Sequence, residues 1–178
     1  MNRIELQNSE SLTRAKSSIF FTVISFNEDK IYFEVKKDLE KYFLESSYES
    51  TQMPKWILQK GEKGDVGNNT KILSFRRKIN REELPYVKKK CLKICEKFIK
   101  KDNSLKIIPG YLSEQNTIIA SSFDDLHRVY IFHGVYAEIV YVYEAGKFVY
   151  QTHSPQFFST KESIYFFKNL RESIHDNK

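Results

Sequence analysis

The stretch KILSFRRKINREELPYVKKKCLKICEKFIKKDNSLKIIPGYL, residues 71–112, decides the fold. It opens with Ile72, Ser74 and Arg76 alternating against Leu73, Phe75 and Arg77, which predicts a strand over Lys71–Ile79. Asn80 offers an N-cap, and Leu84, Val87, Cys91, Ile94, Cys95 and Phe98 recur at helical spacing, which predicts a helix running to about Lys101. A further strand, Leu105–Leu112, is expected to be interrupted at Pro109-Gly110. The preceding segment has a related order. The apolar run Ser18–Phe26 reads as a buried strand, and Asn27 as the cap of a helix carrying Ile31, Val35, Leu39, Tyr42 and Phe43, with Glu28 and Asp29 in its first turn. Tyr48–Met53 reads as a strand stopped by Pro54. Up to Leu112 the order is βαββαβ, the ferredoxin-like split pattern.

Beyond it, Thr117–Phe123, Arg128–Phe132, Val135–Tyr143 and Lys147–His153 read as an antiparallel meander, with turns at His133-Gly134 and Glu144-Ala145-Gly146. Lys161–Ile174 carries Ile164, Phe167, Leu170 and Ile174 on one helical stripe. The expected class is therefore α+β: a ferredoxin-like start extended by an antiparallel β-meander and a C-terminal helix. Residues 1–17 are polar and aperiodic and are expected to form a flexible tail, with 18–178 a single α+β domain. A chain of 178 residues buries roughly 70% of its extended surface on folding, enough for a core without staples. Pro54–Asn69, with Gly61, Gly64 and Gly67, is expected as a flexible surface excursion, since no Gly-Lys-Ser/Thr completes a phosphate-binding loop.

Composition narrows the class further. With 40% hydrophobic and 29% charged residues the chain is globular rather than disordered. Its fourteen Phe and eleven Tyr suit a sheet-built core. Cys91 and Cys95 lie four apart on a helix without companion ligands, so they read as core thiols in a reducing cytoplasm. Ile19–Phe26 is too short for a signal peptide and has no small-residue cleavage site. No run reaches the roughly 18 apolar residues that span a bilayer, so a membrane partner is not expected. Net charge is +6, but sixteen of the 29 basic residues and only six of the 23 acidic ones fall between Lys55 and Lys106. The positive charge is concentrated in the middle third.

In the second half, Ile108-Pro109-Gly110-Tyr111-Leu112, Ile118-Ile119-Ala120-Ser121-Ser122, His127-Arg128-Val129-Tyr130 and Gly134-Val135-Tyr136-Ala137-Glu138-Ile139 follow one another. Their order and spacing resemble the bacterial family known as domain of unknown function 4416, whose members read roughly D-P-G-Y-L, L-A-[ST]-[ST]-K, H-R-I-Y-L and G-I-Y-A-E-V. The resemblance runs from about Ile72 to the end and includes Thr152 to Phe158, where the family tends to read T-Y-P-D-Y. It implies a fold rather than an activity. Two aspartates of the family's pattern are Ile108 and Gln156 here, so any chemistry resting on either carboxylate would be absent.

Two groups of residues are candidates for function. Lys89, Lys93, Lys97 and Lys100 recur at four, four and three residues and form a helical stripe, with Lys88, Lys90 and Lys101 beside it and Arg76, Arg77 and Lys78 before it. Such a surface attracts RNA, a nucleotide or another anion, and it also fits a solvated helix face. The second group is Tyr111, His127, Arg128, Tyr130 and Glu138, with Tyr136 and His153 nearby. A three-residue loop His133-Gly134-Val135, the expected register, would place Arg128, Tyr130 and Glu138 on one side of the sheet; a two-residue loop would move Glu138 to the other side from Arg128. Grouped, they would suit an enzyme acting on a small phosphorylated or carboxylated metabolite, or a structural ion pair. His127, His133 and His153 lack metal-motif spacing, and neither a metal nor a cofactor is expected. A protein-interaction module using an exposed edge or aromatic patch is the third reading.

Overall fold

The computed structural model describes residues 12–175, so residues 1–11 of the expected tail lie outside the described residues. Eight strands form one antiparallel sheet: β1 (Ser18–Phe26), β2 (Ser46–Glu49), β3 (Asn69–Ile79), β4 (Lys106–Leu112), β5 (Asn116–Ser121), β6 (Val129–Phe132), β7 (Val135–Glu144) and β8 (Lys147–Tyr150). The helices are α1 (Asp29–Phe43), α2 (Leu84–Phe98) and α3 (Lys161–His175). Strand order is β2-β3-β1-β4-β5-β7-β6. Its first four members are the split order read from the sequence, in which β3 separates β1 from β2 and β1 separates β3 from β4. The meander adds β5 and β7, and the far edge of β7 is shared by β6 and β8.

β1 is buried along its whole length because the sheet is covered on both faces. Phe20, Ile24 and Phe26 point to a cluster closed by Val35 and Leu39 of α1 and by Val87, Cys91 and Ile94 of α2. Ile19, Phe21 and Val23 point the other way, to Phe166, Phe167 and Leu170 of α3 and to Trp56. Trp56 corrects the reading of Pro54–Asn69 as a loose excursion. The segment lacks regular structure, but Trp56 is 1% exposed, its ring 5.5 Å from that of Phe157, and Gly67 N donates to Ser25 Oγ at 3.0 Å. It is an anchored cover for the second face, and replacing such an aromatic by Ala typically removes about 3–5 kcal/mol.

Two caps differ from expectation. Asn27 does not cap α1, whose N-cap is Glu28; its side-chain oxygen accepts from Asn68 N and its backbone N–H donates to Asp102 Oδ2, tying three loops. Asn80 forms a capping box with Glu83, but on a 3-10 turn, Arg81–Glu83, that leads into α2. Strand β4 runs through Pro109-Gly110 instead of breaking there; what stops is its ladder to β5, which covers Gly110–Leu112 alone. Lys106–Pro109 remain paired with β1 and, among the described residues, have no strand on the other side. Gly110 sits where a Cβ would lie 2.4 Å from Ile118 O and 2.5 Å from Phe21 Cζ, so only glycine allows β4 and β5 to close together. The sheet therefore opens beside the first half of β4.

Candidate functional site

The β6–β7 hairpin turns on two residues, His133 and Gly134, at φ 51° and 75°, so Phe132 faces Val135 and the expected three-residue loop does not form. A bulge after Tyr130 then shifts the register by one, and Tyr130 faces Tyr136 while Val129 faces Ala137. Extended one residue, this register brings Arg128 opposite Glu138, so the two share a side of the sheet, as expected of the three-residue loop, but through a two-residue turn and a bulge. Arg128 Nε donates to Glu138 Oε2 at 2.9 Å, and His127 Nε2 lies 3.0 Å from Oε1. Both halves of the ion pair are sealed, with side-chain exposures of 1% for Arg128 and 0% for Glu138. Each of the other two guanidinium nitrogens also has a partner: they donate to Phe123 O at 3.2 Å and to Gln59 Oε1, and the guanidinium carbon lies 4.1 Å from the Phe123 ring centroid. The charge of Arg128 and that of Glu138 are thus spent on each other and on their neighbours in the protein.

The other members of that candidate group disperse. Tyr111 lies on the opposite face, in the helix-covered cluster, with Arg81 over its ring at 5.8 Å. Tyr130 is 58% exposed and packs edge-on against Tyr136. His153 stacks on His127 with centroids 5.5 Å apart, whereas His133 packs on Phe132 and Tyr86. Among the described residues no group of three or more His, Cys, Asp or Glu is placed to hold a metal. The two departures from the family pattern also part: Ile108 is buried in β4, and Gln156 is exposed.

The basic stripe is partly neutralised. Lys97 Nζ lies 2.5 Å from Asp38 Oδ2 of α1, Arg77 pairs with Glu83 at 2.6 Å, and Arg76 reaches Glu45 at 3.4 Å. Burial alone would raise the Asp38 carboxyl, but its bonds from Lys41 and Lys97 hold it below the ordinary range. Lys89, Lys93 and Lys100 are exposed, with no ion pair among the described residues.

A cleft of about 380 Å³ opens where β4 lacks a partner. Its walls are Lys88, Leu92 and Cys95 of α2, Lys106, Ile107 and Ile108 of β4, Ser121 of β5 with Ser122 and Phe123 after it, and Trp56, Gln59 and Glu62 of the anchored segment. Gln59 and Phe123 are the two residues that Arg128 holds, so the buried ion pair fixes one wall of the cleft.

Lys88 is the residue that sequence reasoning missed. It is 7% exposed and, among the described residues, its ammonium makes no hydrogen bond and no ion pair. Burial lowers its pKa, the Lys106 charge adds to that, and Cys91, Cys95 and Glu62 oppose it. None of the three neutralises it. Burial pushes the Cys95 thiol up to about 11 and Cys91 higher still, so both stay protonated at neutral pH. Glu62 is committed elsewhere: Oε2 accepts from Trp56 Nε1 and Gln59 N, each at 3.1 Å, and Oε1 lies 3.7 Å from Lys106 Nζ. The signal was present in the spacing, since Lys88 stands four after Leu84 and three before Cys91, on the apolar stripe itself.

Among the described residues, no helix is long and apolar enough to cross a membrane. Residues 15–174 match the family described as a domain of unknown function (DUF4416). No curated protein and no solved structure matches the chain.

Proposed function

The chain belongs to the DUF4416 family, whose description assigns no chemistry, and we propose that it binds a small phosphorylated or carboxylated metabolite in the cleft beside β4. One observation carries this reading: Lys88 is a buried cation that no carboxylate pairs with among the described residues, and it borders a cleft. An ammonium taken out of water is costly unless it is paired, so an anionic group placed against it gains more than the same group would at an exposed lysine. Lys106 of β4, itself paired with Glu62, also lines the cleft, so the two lysines and the glutamate leave one net positive charge there, and the hydroxyls of Ser121 and Ser122 can donate to phosphate or carboxylate oxygens. Trp56, Leu92, Ile107 and Phe123 supply apolar contact for the remainder of the ligand, in a volume typical of small-molecule sites. A polyanion such as RNA would meet Lys89, Lys93 and Lys100 instead.

The test is thermal melting of the full chain with inorganic phosphate, ribose 5-phosphate or succinate, for wild type and Lys88→Met. A ligand at about 100 times its Kd should stabilise the wild type by about 2.7 kcal/mol. The variant should fold and show no such shift. No shift with any of the three at millimolar concentration overturns the proposal. So does salt-sensitive binding of generic RNA that survives Lys88→Met while the small anions do nothing, which would move the function to the stripe.

A further inference from the structure

We infer, resting on the reading just given, that Lys88 is a covalent site: its amine forms an imine with a small anionic compound carrying an aldehyde or ketone next to its phosphate or carboxylate. A nucleophilic lysine needs a pocket that disfavours its charged form, room for the carbonyl, and an anchor for the rest of the substrate. All three meet here. Among the described residues no carboxylate pairs with the buried Lys88, it borders the 380 Å³ cleft, and the Ser121 and Ser122 hydroxyls, with Lys106 beside Glu62, line the same cleft. The groups that face Lys88 are Cys91 and Cys95 from its own helix, Glu62 from the anchored segment and Lys106 from β4. Their sum leaves burial dominant, which enriches the free amine relative to any exposed lysine.

The step balances without another reactant. The Nζ lone pair adds to the carbonyl carbon, the C–N bond forms as the C=O pair moves to oxygen, and one proton passes from nitrogen to that oxygen. The carbinolamine then loses its hydroxyl together with the one proton left on nitrogen, as water, and the nitrogen lone pair closes the C=N bond. One amine and one carbonyl yield one imine and one water, with no change of oxidation state. Ser121 and Ser122 lie in the same cleft wall and offer hydroxyls to the departing oxygen.

The experiment treats the full chain at neutral pH with pyruvate or, separately, glycolaldehyde phosphate, then with cyanoborohydride, and maps the reduced adducts by peptide mass. Pyruvate and glycolaldehyde phosphate distinguish a carboxylate from a phosphate as the anionic group. At least one should label Lys88 about tenfold or more faster than Lys89 or Lys93, and inorganic phosphate should slow that labelling alone. Labelling spread over exposed lysines, with Lys88 no faster, overturns the inference. The wild-type map suffices even if a variant fails to fold. If phosphate still raises the melting temperature in a Lys88-dependent way but Lys88 is not labelled, reversible binding stands and the covalent step falls. If neither occurs, both fall.

Discussion

The protein buries two cations to the same degree and treats them oppositely. Arg128 and Lys88 are each 7% exposed. Around Arg128 the chain assembles a carboxylate, a carbonyl, an amide oxygen and an aromatic face. Around Lys88 it offers two protonated thiols and a glutamate already engaged elsewhere. A buried charge with all its partners inside the protein is structure; one left for something outside is a candidate site. The two are joined through Gln59 and Phe123, which touch Arg128 and also line the cleft of Lys88.

The largest expected effect comes from breaking the closed pair. Glu138→Ala strands the Arg128 guanidinium and should cost about 3–5 kcal/mol in urea unfolding. An Arg128→Met, Glu138→Leu double variant should lose less than that single change, because no uncompensated charge remains. A double variant as unstable as Glu138→Ala would mean that packing, and not charge, holds this region.

The converse holds at Lys88. Lys88→Met should stabilise the protein at neutral pH, by about 1–3 kcal/mol if the usual cost of an unpaired buried polar group applies. The sign follows from burial, which lowers the folded-state pKa. Between that value and the ordinary lysine value near 10.4, the unfolded chain binds more protons than the folded one, so stability rises with pH across that window. The penalty is fully present below the window and gone above it. Melting curves of wild type and variant should therefore converge as pH approaches about 10.4. A wild type more stable than the variant at pH 7 without added anion would show that Lys88 has a partner inside the fold.

Much of this comparison was hidden from the sequence for a physical reason. β1 was legible because a strand buried on both faces is an unbroken apolar run, and α2 and α3 because their stripes repeat at helical spacing. The hairpin register was not, because the bulge after Tyr130 undoes by one residue what the two-residue turn does, and neither leaves a mark in local pattern. Trp56 was lost among glycines and charges that signal a surface loop. Lys88 sat in plain view on an apolar stripe, but among seven lysines of one helix region its position looked like one more exposed charge. Gln59 and Arg128 are 69 residues apart, and only the folded sheet brings them together.

The coupling of the two cations predicts an effect at Gln59 smaller than that of Glu138→Ala. Gln59→Ala removes one acceptor from Arg128 and should cost about 1.5–3 kcal/mol, the range for a hydrogen bond to a charged group. It should also weaken phosphate binding, since the same side chain lines the cleft. Loss of stability with unchanged phosphate affinity would separate the ion pair from the site and leave Lys88 to act alone.

The smallest change is expected where charge is most plentiful. Lys89 and Lys93 are exposed and without ion pairs among the described residues, so Lys89→Gln, Lys93→Gln should alter stability by no more than about 0.5 kcal/mol. Phosphate binding should be essentially unchanged, because an exposed ammonium is screened within about 8–10 Å at physiological salt whereas the Lys88 charge is not. The pair of substitutions thus asks whether an anion is drawn by one desolvated cation or by the summed field of the helix. If they depress phosphate binding as deeply as Lys88→Met does, and high salt does the same to the wild type, the field is responsible, and the contrast between the closed and the open cation does not locate the site.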